Sequence, residues 1–399
     1  MDKPLHTART WQPQNARSLA RAGGNAPAEG AVSRTAIPPR KGRGALFNPP
    51  NRFEHSRREA FDDGWDTLEA DLRDLPPLPT TLIRDHSRSA ITWNESPDLG
   101  FDRSLNPYRG CEHGCIYCYA RPSHAYLGFS PGLDFESKLL FKPEVATLLE
   151  RELRKPGYRV RPLALGTNTD PYQPVERTLR LTGSVLEVLD RFHHPVSIVT
   201  KSAGVLRDLD ILRALAARRL VRVCLSVTTL DASLARRMEP RASSPQRRLA
   251  AIRELAQAGI PTGVMFAPVI PGLNDAELER VLAAAAEAGA SFAGYVLVRL
   301  PLEVADLFQA WLNAHFPARA QHVLNLIRTL RGGRLNEPRF HHRMKGQGAL
   351  AELLAQRFDH ACQKWGLNGE RLSGLDCSAF RVPLPWDGAE LAAKQLVLL

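Results

Sequence analysis

Three cysteines within eight residues constrain this chain more than any other feature. Cys111, Cys115 and Cys118 stand in the segment 106–120 with a C-x3-C-x2-C spacing. Thiolates are soft ligands that suit zinc, copper(I) and iron–sulfur clusters. Closed zinc sites and ordinary iron–sulfur clusters take four protein ligands. Three thiolates without an evident fourth ligand therefore predict a metal centre with one open coordination position.

The same segment resembles the cluster loop of the radical S-adenosylmethionine (SAM) superfamily. The signature of that family is C-x3-C-x-aromatic-C, and Tyr117 stands at the aromatic position. The resemblance implies that Cys111, Cys115 and Cys118 hold a 4Fe-4S cluster whose fourth iron binds the amino and carboxylate groups of SAM. It also implies that the reduced cluster splits SAM into methionine and a 5′-deoxyadenosyl radical, which abstracts hydrogen from a substrate. The implied partner is a one-electron donor of the flavodoxin or ferredoxin type.

A structural zinc knuckle is the main alternative, with His113 or His124 as the fourth ligand. The chain would then be a non-catalytic, zinc-stabilised nucleic-acid-binding protein. Zinc knuckles, however, usually pair C-x2-C with a distant second half. A disulfide framework is disfavoured because six cysteines in 399 residues are few and the N-terminus lacks the apolar segment of a secretion signal. We therefore expect reduced thiols and a cytoplasmic protein.

The positive charge of the chain is concentrated near its N-terminus. The formal net charge is +11, and residues 1–58 hold 11 Lys and Arg against 3 Asp and Glu. A basic, weakly apolar segment is typical of a disordered extension, and nucleic acid is one candidate partner for it. Within it, residues 41–53 contain two phenylalanines that could dock on the globular body. No run of 18 apolar residues is present, which excludes a transmembrane helix.

From residue 100 onward, short apolar runs alternate with longer amphipathic segments, which predicts repeated βα units. The predicted fold class is α/β, a partial (β/α)6 TIM-like barrel of the radical SAM type. Residues 1–80 are predicted to be a largely disordered basic tail and linker, 81–316 the barrel, and 317–399 a helical C-terminal extension. The oligomeric state is not predicted. The six strands are expected at residues 103–106, 163–166, 196–200, 221–227, 262–266 and 294–298.

Active sites in such barrels gather at the C-terminal ends of the strands. The second strand leads into four polar residues, Thr167, Asn168, Thr169 and Asp170. In the radical SAM family this strand end contacts the amino group of SAM, often through a Gly-Gly-Glu-like stretch, and the sequence departs from that form here. It does not decide which of the four makes the contact, and a simple Asp-Pro turn is the alternative.

The next strand ends supply further candidates for binding SAM. The third strand leads to Lys201, and the resemblance implies that this lysine binds the SAM carboxylate. The fourth strand leads to Ser226 and Thr228, which alternation puts on the same face of the strand. The resemblance assigns the ribose to Ser226. Arg241 precedes a helix and is expected to reach the cofactor or the substrate.

Longer matches narrow the resemblance to a group of uncharacterised bacterial radical SAM proteins related to spore photoproduct lyase, which reverses a thymine–thymine lesion in DNA. That lyase depends on a further cysteine beyond its cluster loop, and here no cysteine lies between Cys118 and Cys224. The substrate is therefore not carried over, and both a nucleic acid and a small molecule or peptide stay open. The matching segments are residues 41–45, 106–124, 132–136, 169–174 and 239–241. Candidates for substrate contacts are Tyr108, Arg109, Tyr119, Arg121, His124, Tyr172 and Glu176.

Overall fold

The computed structural model of the chain describes residues 39–54, 77–369 and 374–384. Most of the predicted tail and linker, residues 1–38 and 55–76, lies outside this part of the chain. The strands of the described part are β1 (Thr81–Arg84), β2 (Ile91–Trp93), β3 (Arg103–Leu105), β4 (Tyr108–Arg109), β5 (Lys138–Phe141), β6 (Leu163–Leu165), β7 (Val196–Thr200), β8 (Val221–Ser226), β9 (Thr262–Val269) and β10 (Phe292–Leu297).

Six of these strands form the predicted parallel sheet. The order β10-β9-β8-β7-β6-β3-β2 follows the chain, and every neighbouring pair is parallel except β2 and β3. A parallel pair needs a crossover connection, and the crossovers here contain helices. The prediction of a partial (β/α)6 barrel is therefore confirmed. A second, small sheet has the strand order β1-β5-β4. It lies beside residues 111–118, which we call the cysteine loop.

The helices of the barrel follow its strands as the sequence periodicity predicts. Short 3-10 segments, Arg121–Leu127, Ala203–Asp208 and Asp275–Glu277, complete the connections. The α-helices are α1 (Leu133–Ser137), α2 (Val145–Leu153), α3 (Glu176–Leu179), α4 (Leu181–Arg191), α5 (Leu209–Ala217), α6 (Ala232–Met238), α7 (Pro245–Gln257), α8 (Leu278–Glu287), α9 (Val304–His315), α10 (Pro317–Leu330) and α11 (Ala349–Trp365).

The main apolar core lies between the sheet and its helices. In α4, the fully buried side chains Val185, Leu186 and Leu189 recur at helical spacing and pack toward the sheet. A second cluster forms beside the cysteine loop, where α9 and α10 bury Trp311 and Val323 together with Ile116. The predicted helical character of the C-terminal part is confirmed by α10 and α11.

The short segment 39–54, which we call the strap, packs against the body. Phe47 is partly buried against the second core cluster, whereas Phe53 is 54% exposed and contacts the ring of Tyr126. Among the described helices, none combines the length and the apolar character that a membrane span requires.

Candidate functional site

The cysteine loop begins where β3 ends and β4 turns toward the small sheet. Cys111 and Cys115 are buried, Cys118 is half-buried, and all three are free thiols. Burial raises the pKa of the Cys115 thiol to about 12, although the nearby Lys201 opposes the shift. Burial also raises the pKa of Cys111 above its ordinary range. Because thiols must lose their protons to bind a metal, the loop would release protons when it is loaded.

A buried ion pair holds this loop from one side. Arg121 and Glu136 are both fully buried, and their closest N–O distance is 2.5 Å. The Arg121 guanidinium also donates to the backbone carbonyls of Gly114 and Cys115, at 3.3 and 3.0 Å. It reaches two further carbonyls, at Pro131 and Gly132. One arginine thus fixes the backbone between the first and second thiols.

The strap is bound to the same carboxylate. Glu136 accepts hydrogen bonds from the backbone amides of Gly44 and Ala45, at 2.9 and 2.8 Å. A Cβ on Gly44 would lie 1.8 Å from the carbonyl oxygen of Gly114, so this contact requires glycine. Arg43 donates to the carbonyl oxygen of Glu136 at 2.5 Å. The strap, Arg121 and the cysteine loop therefore form one network around Glu136.

A cavity of about 730 Å³ lies at the C-terminal ends of the strands. Its volume falls within the range typical of small-molecule sites. Seven of the predicted site residues line it: Cys115, Tyr117, Cys118, Thr167, Asn168, Lys201 and Ser226.

The other five predicted residues are not among those that line the cavity: Cys111, Thr169, Asp170, Thr228 and Arg241. Thr169 donates to the carbonyl of Tyr108 at 3.0 Å. Asp170 accepts from the Thr200 hydroxyl and the Lys201 amide, both at 2.7 Å, and so ties together the ends of β6 and β7. Although burial opposes the shift, the charge of His113 and these hydrogen bonds hold the pKa of Asp170 at about 2.

Arg241 and Thr228 take part in two different networks. Arg241 pairs with Glu112 at 3.0 Å. It belongs to the network that includes the strap and does not line the cavity. Thr228 donates to the carboxylate of Glu239 at 2.5 Å, and the Tyr117 hydroxyl donates to the same oxygen.

That second network lies directly behind the cavity wall. Glu239 pairs with Arg248, and both side chains are almost completely buried. Burial lowers the pKa of Lys201, but the negative charges of Cys115, once this thiol has lost its proton, and of Glu239 outweigh the lowering, so the pKa lies above its ordinary value. The Lys201 Nζ lies 5.8 Å from the centre of the Tyr117 ring. Lys201 is therefore a charged ammonium between the cysteine loop and the strand ends.

Of the seven candidates for substrate contacts, some line the cavity and the others do not. Three of them, Tyr108, Arg109 and Tyr119, line the cavity. The other four are buried and engaged elsewhere: Arg121 with Glu136, His124 with the carbonyl of Lys138, Tyr172 with Asp208, and Glu176 with Tyr108 and the amide of Thr182.

Several residues of the site were missed at the level of sequence. Asn106, at the end of β3, accepts from the amides of Asn168 and Thr169 at 3.1 and 3.3 Å and shapes that loop. Arg299 lines the cavity just after β10, and the rule that sites gather at strand ends would have found it. Arg343 comes from the segment between α10 and α11, and the basic, glycine-bounded stretch 332–345 is the sequence signal that pointed to this region.

Zinc and a 4Fe-4S cluster require different arrangements of the cysteine and histidine ligands. Among the described residues, no three His, Cys, Asp or Glu side chains meet closely enough to hold one metal ion. Zinc needs such a point, whereas a four-iron cluster presents a separate iron to each thiolate. The imidazoles proposed as zinc ligands also have other neighbours, since His113 Nδ1 lies 3.3 Å from Asp170 and His124 Nε2 lies 2.9 Å from the carbonyl of Lys138. The residues present fit an iron–sulfur cluster better than zinc.

Sequence comparison decides the family. The model of the radical SAM superfamily matches residues 105–285. The uncharacterized protein Rv2578c of Mycobacterium tuberculosis is 38% identical over 232 residues, which is 58% of this chain and 68% of that protein. The chain belongs to the radical SAM superfamily. Another relative is the uncharacterized protein MJ0683 of Methanocaldococcus jannaschii, 27% identical over 49% of this chain and 70% of that protein.

Solved structures agree on the fold. Spore photoproduct lyase complexed with dinucleoside spore photoproduct is similar with a TM-score of 0.51 and 17% identity, over 72% of this chain and 80% of that chain. A mutant of the lyase with bound AdoMet and dinucleoside spore photoproduct has a TM-score of 0.51 and 16% identity, over 74% and 86%. Membership in this superfamily implies an enzyme that uses a 4Fe-4S cluster and SAM.

Proposed function

We propose that this chain binds a 4Fe-4S cluster through Cys111, Cys115 and Cys118, and that it cleaves SAM reductively to start radical chemistry on a substrate in the cavity. The three thiolates would hold the cluster, and the cluster would supply one electron from an external donor for cleavage of SAM to methionine and the 5′-deoxyadenosyl radical that would take hydrogen from the substrate. The observation that carries the proposal is that Cys115 and Cys118 line one cavity together with Lys201 and the polar strand ends.

The protein would contribute binding, orientation and exclusion of water. Lys201 is the proposed partner of the SAM carboxylate, because it is a charged ammonium that lines the cavity and forms no ion pair with a described residue. Thr167 and Asn168 are the proposed contacts of the amino group, and Ser226 of the ribose, since all three line the cavity. Tyr117 would stand beside the cluster.

The remaining predicted residues would act as supports for these groups. Asp170 holds the backbone of Lys201, and Thr228 shares the carboxylate of Glu239 with Tyr117. Thr169 fixes the loop that carries Asn168. Arg241 would stabilise the cysteine loop through Glu112. These roles require a fixed position rather than contact with SAM.

The proposal is tested by anaerobic reconstitution with iron and sulfide, followed by dithionite and SAM. We expect about four irons per chain and release of 5′-deoxyadenosine. Cys118→Ala should lose both, whereas Cys377→Ala should keep both, since Cys377 is an equally half-buried thiol outside the loop. Protein that binds zinc and yields no 5′-deoxyadenosine would refute the proposal.

A nucleic acid is the candidate substrate that specific observations favour. The solved lyase holds a dinucleoside photoproduct, and residues 1–58 of this chain carry a large excess of basic residues. Electrophoretic mobility shifts with DNA and RNA at several salt concentrations would test this, because phosphate contacts weaken steeply with salt. Lack of binding at low salt would favour a small molecule or peptide, and so would activity that survives deletion of residues 1–58.

A further inference from the structure

The charges of the cavity are of one sign. Of the described residues that line it, none is Asp or Glu, while five carry a cationic side chain. Clefts lined by one sign of charge concentrate ligands of the opposite sign. The five are Arg109, Lys142, Lys201, Arg299 and Arg343.

Two of these cations already have carboxylate partners outside the cavity lining. Arg109 pairs with Asp85 at 2.7 Å, and Arg343 pairs with Asp98 at 2.6 Å. Lys142 lies near Asp85, whose charge opposes the lowering of the lysine pKa by burial. Lys201 is the proposed partner of the SAM carboxylate. Arg299 forms no ion pair with a described residue, although the charge of Asp98, the partner of Arg343, acts to raise its pKa.

Arg299 is half-buried and differs from the fully buried arginines of the described chain. Its guanidinium lies 4.4 Å from the centre of the Tyr119 ring, and it forms no ion pair or hydrogen bond with a described residue. By contrast, Arg331 is 1% exposed and donates five hydrogen bonds to carbonyl oxygens, three of them to Leu297 and Val298 close to Arg299 in the chain. A partly buried cation without a partner costs free energy unless a ligand supplies the anion.

The surroundings of Arg299 hold it in place. The Tyr119 hydroxyl donates to the carbonyl of Thr167, so the ring bridges the cysteine loop and the loop after β6. Burial lowers the pKa of Arg299, and the positive charge of Arg343 adds to this. An anion at this position would relieve both effects, and it would lie beside the half-buried Cys118, which lines the same cavity.

We propose that Arg299 binds an anionic oxygen group of the substrate, a phosphate or a carboxylate, and so orients that substrate beside the cysteine loop. This deepens the proposed function and rests on it, since the cavity is where the radical would react. A guanidinium presents paired donors that match either group.

The test measures thermal unfolding of the reconstituted, oxygen-protected protein with increasing inorganic phosphate or acetate. Ionic strength is held constant with sodium chloride, so that screening does not change. A ligand that binds the folded state raises the melting temperature, because it adds RT ln(1 + L/Kd) to the free energy of unfolding, where L is the concentration of free ligand. We expect Arg299→Gln to weaken the apparent affinity for the better of the two anions by roughly tenfold or more, and Arg299→Lys to weaken it less.

Arg213→Gln is the matched control, because Arg213 is an exposed arginine on α5. It should respond to both anions as the unchanged protein does, which also corrects for the general stabilising effect of phosphate. The preferred anion identifies the group that the substrate carries. Equal anion-dependent shifts in the Arg299→Gln, Arg213→Gln and unchanged proteins would overturn the proposal, as would the absence of any shift beyond the chloride control.

Failure of this inference can be told apart from failure of the proposed function. Release of 5′-deoxyadenosine from SAM does not depend on the identity of the substrate. A protein that releases it but shows no anion binding at Arg299 would refute the inference alone. A protein without a cluster would refute the proposed function, whatever the anion titration shows.

Discussion

The network around Glu136 and the lining of the cavity both touch the cysteine loop, but they use arginine differently. In the network, the guanidinium of Arg121 meets a carboxylate and four backbone carbonyls. In the cavity, Arg299 has an aromatic ring beside it and no described carboxylate or carbonyl as a partner. Paired cations hold the loop in shape, whereas Arg299, which forms no ion pair with a described residue, is the arginine that we propose binds a ligand.

Removing the negative charge from the network should have the largest effect. We expect Glu136→Gln to lower the free energy of unfolding by roughly 3–5 kcal/mol, because it leaves the fully buried Arg121 without a counter-charge. Urea unfolding measures the loss, and iron per chain shows whether the loop still assembles.

Glu150→Gln serves as the control for this change. Glu150 pairs with Arg154 and Arg191 on a more exposed surface, so its loss should cost less than about 1 kcal/mol. Equal losses in the two variants would contradict the role given to Glu136.

Protonation of a buried histidine at low pH tests the same cost, because it creates a buried charge without a counter-charge. His194 is fully buried, its Nδ1 faces the carbonyl of Pro195 and its Nε2 faces the Tyr158 hydroxyl. Burial lowers the pKa of His194 from 6.5 to about 4. The unfolded chain therefore binds more protons between these values, and stability should fall as the pH drops from about 6.5 to 4, by up to roughly 3 kcal/mol.

The measurement is the free energy of unfolding at several pH values for the unchanged protein, His194→Gln and His360→Gln. His360 is exposed, so its replacement should leave the pH dependence as it was. His194→Gln should flatten it. A slope that stays the same in His194→Gln would show that other groups cause the acid sensitivity.

Weakening the contact between the strap and the cysteine loop should lower the free energy of unfolding somewhat less than these changes do. Gly44→Ala would bring a methyl group to within 1.8 Å of the Gly114 carbonyl oxygen. We expect this clash to lower the free energy of unfolding by about 1–3 kcal/mol. We expect earlier proteolytic cleavage in the strap and weaker iron retention. Gly369→Ala is the control, since a Cβ there meets no atom within 4 Å. Identical cleavage of the two variants would mean that the strap yields without strain.

Arg299→Gln should have the smallest effect on stability. Because its guanidinium contacts the Tyr119 ring but forms no hydrogen bond or ion pair with a described residue, we expect the free energy of unfolding to fall by no more than about 1 kcal/mol. The measurement is urea unfolding without added anions. A loss as large as that of Glu136→Gln would show that Arg299 is a structural residue, and the comparison would fail.

Local sequence patterns were sufficient for the barrel because they follow short-range physics. The six parallel strands and their helices appear close to the predicted positions, as at Val196–Thr200 and Pro245–Gln257. The strands β1, β2, β4 and β5 were not predicted, because β1 and β2 precede the βα alternation and β4 and β5 lie within the connection between β3 and β6.

The sequence by itself determined the family and the thiol loop, because the spacing of Cys111, Cys115 and Cys118 and the aromatic Tyr117 are contiguous. It also determined the strand ends where Lys201 and Ser226 line the cavity. These features depend only on neighbours along the chain.

Only the tertiary structure decided which charges are paired. Arg121 finds Glu136 15 residues away, and Gly44 reaches the same carboxylate across 92 residues. Arg343 pairs with Asp98 across 245 residues, while Arg299 forms no ion pair with a described residue. The pairing of a buried charge depends on which distant segments fold against it, and that information is not contained in any short stretch of sequence.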